Sequence, residues 1–116
     1  MVAAESDEEA MRLATSAFQR HLSLLRGEPI FVPAPVDTMD GLWSESERFL
    51  VESRLGVAAI GSPDTVQKSL ARFLSQTNVD ELIFTSDLYD HRDRMRSFEI
   101  AAEAMKMLDA TEVPRI

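Results

Sequence analysis

The sequence predicts an α/β domain in which two helices and a proline-rich segment precede two C-terminal βα units. Three observations predict it. Apolar residues recur at three- and four-residue spacing in stretches that end or begin at capping residues, as in amphipathic helices. Two short apolar runs, Val57–Ile60 and Glu81–Thr85, are bounded by turn residues and suit buried strands. Those runs alternate with the last two helical stretches, the order strand, helix, strand, helix. Consecutive βα units imply parallel strands joined by a right-handed crossover.

Ser6 and Glu9 form a capping box that opens a helix over 7–26. Met11, Ala14, Phe18, Leu22 and Leu25 are its apolar stripe, and Gly27 supplies a left-handed stop. His21 sits beside that stripe and reads as a surface or half-buried structural histidine. From Gly27 to Trp43 the prolines Pro29, Pro33 and Pro35 forbid regular structure. Ile30, Phe31, Val32, Val36, Met39 and Leu42 are nonetheless too apolar for a free linker, so the segment is expected to lie across a surface. Ser44 and Glu47 form a second capping box, opening a short helix to Leu55. Ser62 caps the next helix, with Pro63 at its first position, where a missing N–H costs nothing. Val66, Leu70, Phe73 and Leu74 are the inner stripe, and Thr77–Asn78 makes a turn. The last helix runs over His91–Leu108, with Met95, Phe98, Ala102, Met105 and Met107 among its apolar residues. No repeat or boundary divides the chain, which reads as one domain over 1–116. Its helical and proline-rich part spans 7–55 and its two βα units span 56–110.

Composition removes whole classes of function. The chain has 116 residues, room for one domain. Twelve basic against twenty acidic side chains give a net charge of −8, the wrong sign for a phosphate-backbone binder. Nucleic acid is not an expected partner. Zero cysteines exclude disulfides, zinc–thiolate and iron–sulfur sites and thiol nucleophiles, and two histidines exclude a histidine-rich metal centre. The apolar run Leu55–Gly61 has seven residues, against roughly 20 for a bilayer span. The first ten residues carry four acids and no base, unlike a secretory leader. A cytoplasmic protein away from membranes is the expectation.

Five short stretches in one order carry a resemblance. They are Leu25-Arg26-Gly27-Glu28-Pro29, the prolines before Trp43-Ser44, and Gly61-Ser62-Pro63-Asp64-Thr65-Val66. Val79-Asp80-Glu81-Leu82-Ile83 follows, then Asp90-His91, Arg94 and Ser97-Phe98-Glu99. Over residues 10–108 the chain resembles the C-terminal part of the bacterial luciferase-like, flavin-dependent monooxygenases. The resemblance implies a (β/α)8 TIM barrel whose last two units are Val57–Gln76 and Glu81–Leu108. It also implies an oxidoreductase whose cofactor is a flavin, usually FMN. A full barrel takes roughly 250 residues, so an incomplete barrel is expected here. Most flavin contacts of that family lie outside such a piece, and catalysis by this chain alone is not expected.

In barrels, functional groups gather at the C-terminal ends of strands, and the opposite end serves stability. Asp80 and Glu81 therefore read as turn and capping residues. Gly61 and Ser62 lie at the functional end, and the amides of 62–65 open a helix whose dipole attracts anions. Ser62 also has the bland task of helix cap, and one glycine makes no glycine-rich cradle. Asp87, Tyr89, Asp90 and His91 form the most polar cluster at that end. His91 is the one candidate acid or base, and Asp90 is a natural cap of the last helix. Arg92 is a candidate anion contact; Arg92 and Arg96, one turn apart, otherwise pair with acids such as Glu99. Gly61, Ser62, Asp90 and Arg92 are thus the candidate cofactor contacts, and no metal ligand set is recognised. The alternative is a non-catalytic α/β protein that binds a partner or itself. Two parallel strands leave open edges, so a homodimer or higher homo-oligomer is expected, with residues 27–43 at the contact.

Overall fold

A computed structural model describes residues 1–28, 30–55, 58–77 and 84–110, the side chains of 109–110 excepted. Ser6 turns the chain from extended backbone into helix α1 (Asp7–Leu25), its Oγ accepting the Glu9 amide at 3.2 Å. The box is half closed, because the Glu9 carboxylate pairs with Arg12 at 2.9 Å instead of reaching back. Asp7, Glu8 and Glu9 set negative charge against the positive end of the helix. Gly27 follows in the left-handed region at φ +72°, the stop that the sequence predicts.

Helix α2 (Glu45–Leu55) opens with a complete box: the Glu47 amide donates to Ser44 Oγ and the Ser44 amide to Glu47 Oε1. Arg26 clamps the same carboxylate with two bonds, at 2.7 and 3.0 Å. Arg26 first, and the Ser44 amide second, pull the Glu47 carboxyl down to about 2. Between the helices the proline-rich segment lies along α1. The Val36 amide donates to Thr15 Oγ1 at 2.9 Å, and Gln19 Nε2 donates to Ala34 O at 3.1 Å. Met39 and Val51 close on Leu22 there, with the Phe18 and Trp43 rings 5.8 Å apart.

Strand β1 (Val2–Ala3) is a finding that the sequence did not announce. It pairs in parallel with β2 (Ile60–Gly61), Val2 opposite Ile60 and Ala3 opposite Gly61. The expected strand at Val57–Ile60 is displaced toward Gly61, and Val57 lies outside the described residues. Of the second expected strand, Glu81–Ile83 lie outside the described residues, and Phe84–Thr85 belong to no regular element. The parallel pair therefore forms between an N-terminal strand and β2. The other edge of β1 is also satisfied: the Met1 amine donates to Thr85 O and the Ala3 amide to Ser97 Oγ, at 2.9 and 2.8 Å.

Alternation along β1 sends its side chains to two cores. Val2 and Ala4 face Ala10, Leu13 and Ala14 of α1, with Leu88 closing the cluster. Ala3 faces Val66 and Leu70 of α3 (Pro63–Thr77) and Ile100, Ala104 and Leu108 of α4 (His91–Ala110). Helices thus cover both faces of a short parallel sheet, as parallel sheets require. The chain is mixed α/β and mostly helical. Two stripes differ from expectation. In α1 the buried face runs through Ala10, Leu13, Ala14 and Ala17, and Met11 is half exposed. In α4 it runs through Ser97, Ile100, Ala101, Ala104 and Leu108, whereas Met95 and Met107 face solvent. Small residues allow close approach to the sheet, and the longer methionines are left outside.

Candidate functional site

The C-terminal ends of β1 and β2 lie side by side, and each leads directly into a helix. Ser62 caps α3 as expected, its Oγ accepting the Thr65 amide at 3.4 Å and lying 3.2 Å from Thr65 Oγ1. The decisive contact comes from the other strand. Asp7, at the start of α1, places Oδ1 2.7 Å from the Ser62 amide nitrogen and accepts a hydrogen bond from it. This amide bond, with a second bond from Thr65, holds the Asp7 carboxyl below its usual range. The seat is therefore present at neutral pH and is lost as acid protonates the carboxyl. Gly61 leaves the space for it. A Cβ there would stand 2.5 Å from Thr65 Cγ2 and 2.7 Å from Asp7 Oδ1.

Sequence reasoning assigned the α3 N-terminus to an external anion or to its own cap. The structure fills it with a carboxylate of the same chain, 55 residues away. Asp7 carried no signal of this, because an acid in the first turn of α1 already has a local explanation. With Asp7 seated, a phosphate at Gly61–Ser62 would meet a negative charge where it needs N–H donors. With that carboxylate in place, Gly61 and Ser62 do not fit the phosphate end of a flavin.

The remaining candidates lie at the head of α4. Asp90 caps that helix, Oδ1 accepting the Arg92 amide at 2.8 Å and its carbonyl the Arg94 amide at 3.1 Å. His91 is exposed, with Nδ1 3.0 Å from the Arg94 guanidinium. The Arg92 side chain is exposed and forms no ion pair among the described residues. Arg96 is engaged by Glu5 at 2.6 Å and Glu99 at 3.3 Å, the salt-bridged alternative. Asp87 pairs with Arg20 at 3.1 Å, away from Asp90 and His91 in the bonding pattern. No cluster of three metal-ligating side chains exists among the described residues, and Asp80 and Glu81 lie outside them. Cavities lie elsewhere among the described residues. A small one of about 80 Å³ lies beside His21, whose Nδ1 is buried without a hydrogen-bond partner among the described residues and whose pKa burial lowers. A larger groove of about 590 Å³ lies between α1, residues 37–43 and α2. Gly61, Ser62, Asp90, His91 and Arg92 line neither.

Comparison with known proteins places this geometry. No family model matches the chain. The Escherichia coli K12 protein named luciferase-like monooxygenase is 34% identical over 108 residues, 93% of this chain and 32% of that protein. The chain is therefore similar to the luciferase-like monooxygenase family over nearly its whole length. The Bacillus subtilis protein YvbT is 42% identical over 106 residues, 91% of this chain and 32% of YvbT. Among solved structures, the crystal structure of apo-MsnO8 matches with a TM-score of 0.66 and 25% identity. The match covers 90% of this chain and 32% of that one. The chain spans about a third of the length of the curated relatives it matches. Among the described residues, no helix is long and apolar enough to cross a membrane.

Proposed function

We propose that this chain is the C-terminal portion of a luciferase-like, flavin-dependent monooxygenase, an incomplete (β/α)8 barrel that works in the cytoplasm. By itself it neither encloses FMN nor oxidises a substrate. The observation that supports the family half of this reading is 34% identity to a luciferase-like monooxygenase across 93% of the chain. The observation that supports the second half is the Asp7 carboxylate on the Ser62 amide. When bound, the flavin supplies the redox chemistry. The part of this chain is to hold the β1 and β2 ends together and to exclude a second anion from α3. His91, exposed beside Arg94, has no enclosed partner with which to move a proton. Small-molecule sites bury roughly 70–90% of their ligand, and the candidate contacts line neither of the two cavities described above. Titration of FMN with the purified chain, followed by quenching of flavin fluorescence, tests this. No saturable quenching is expected through the micromolar range. Saturable binding at low micromolar FMN contradicts the reading.

Exposed apolar surface favours a second role, self-association. Phe31 is 97% and Phe49 70% exposed, and Leu50 beside Phe49 is also open to solvent. Large apolar side chains grouped on a surface mark contact sites. In this reading the chain forms a closed homo-oligomer through the 27–43 segment and α2.

A further inference from the structure

The groove between α1, residues 37–43 and α2 has a character that the family reading does not use. Its floor is apolar and aromatic: Phe18 and Trp43 with Met39, and Met11 half exposed at the side. Its walls are acidic. Five carboxylates line it against two guanidiniums, leaving a net of three negative charges.

The two arginines are already committed. Arg12 is held by Glu9 at 2.9 Å, and Arg48 by Glu52 at 3.0 Å, each on its own helix. Glu8, Asp37 and Asp40 form no close ion pair among the described residues, although Asp37 lies in the field of Arg12 and Asp40 in that of Arg48, and the three stand on two different walls. The loop that carries Asp37 and Asp40 is anchored. Val36 is pinned to Thr15, the Asp40 amide donates to Thr38 Oγ1, and Met39 is buried against Leu22 and Val51. The carboxylates are therefore presented by fixed backbone over an apolar floor. At about 590 Å³ the groove is of the size that takes one small organic ligand.

We propose that this groove binds a small organic cation, an amine or guanidine carrying an apolar or aromatic body. The apolar body lies on Trp43, Phe18 and Met39, and the cationic head lies among Asp37, Asp40 and Glu8. An aromatic face next to carboxylates attracts cations through both the ring quadrupole and the formal charge. Anions are repelled by the same walls. The inference does not depend on flavin chemistry, since none of the candidate flavin contacts lines the groove.

Trp43 is the single tryptophan, so its fluorescence reports on this groove alone. The probe is 4-phenylbutylamine, with 4-phenylbutanol as the neutral counterpart. The amine is expected to change Trp43 fluorescence saturably, with a dissociation constant on the order of 1 mM or tighter for so small a ligand. The alcohol should bind about tenfold more weakly, and added salt should weaken the amine but not the alcohol. The double variant Asp37→Asn/Asp40→Asn should lose about tenfold in amine affinity while retaining the wild-type circular dichroism spectrum. Asp64→Asn, on α3, serves as the charge control and should bind as wild type does. Absence of a saturable response, equal binding of the alcohol, or unchanged affinity in the double variant each overturns the proposal.

Discussion

Strand β1 is buried and hydrogen-bonded along both edges, whereas α2 is held by polar pegs and leaves Phe49 and Leu50 outside. Val2 and Ala3 are buried on opposite faces of the sheet, and both edges of the strand have hydrogen-bond partners. In α2 only Val51 is buried, and the helix is tied down by the Arg26–Glu47 clamp and the Ser44 box. Phe49 and Leu50 on that helix, and Ile30 and Phe31 before it, face solvent. Stability and interaction reside in different parts of the molecule. The sandwiched sheet carries the fold, and the periphery from Ile30 to Leu55 offers surface for contact. The acidic groove lies on that second side as well.

The largest effect expected from this contrast is in the core behind β1. Ile100 is 2% exposed and packs among Ala3, Val66 and Leu70. Ile100→Ala should cost about 2–5 kcal/mol, since transfer and cavity terms add. Chemical denaturation read by circular dichroism measures it. A loss under about 1 kcal/mol would show that α4 packs on the sheet more loosely than described.

The smallest effect on stability belongs to the periphery. Phe49→Ser removes an exposed ring and should change unfolding free energy by no more than about 0.5 kcal/mol. Its effect on association should be large in comparison. Light scattering behind size exclusion should show wild type as a closed oligomer and Phe49→Ser shifted toward monomer. A monodisperse wild-type monomer would remove the self-association reading and leave the exposed rings unexplained.

The helices were legible in the sequence because their signals are local. Ser6, Ser44, Ser62–Pro63 and Asp90 each mark a start within one turn, and Gly27 marks a stop. Strand β1 was not legible. Two residues, Val2 and Ala3, have no period, and what makes them a strand is Ile60–Gly61 far along the chain. The α4 stripe was misphased for a related reason. Its methionines outweigh Ser97, Ala101 and Ala104 in hydrophobicity, yet the small residues fit against β1, and Ser97 also supplies the acceptor for Ala3. At the candidate site, the caps at Ser62 and Asp90 could be read from their neighbours. The occupation of α3 by Asp7 could not, because it joins residues from two βα ends.

Phosphate probes the Asp7–Ser62 contact sharply, because it competes with the Asp7 carboxylate for the same amide. Thermal unfolding of wild type and of Asp7→Ala is followed in phosphate and in chloride at matched ionic strength, at neutral pH. With Asp7 seated, wild type should show no phosphate-specific stabilisation. Asp7→Ala should begin less stable and then gain stability saturably with phosphate, as the freed Ser62 amide and the α3 dipole accept the anion. Saturable stabilisation of wild type by phosphate would show that Asp7 does not hold the α3 N-terminus, and would return Gly61 and Ser62 to the role of cofactor contacts.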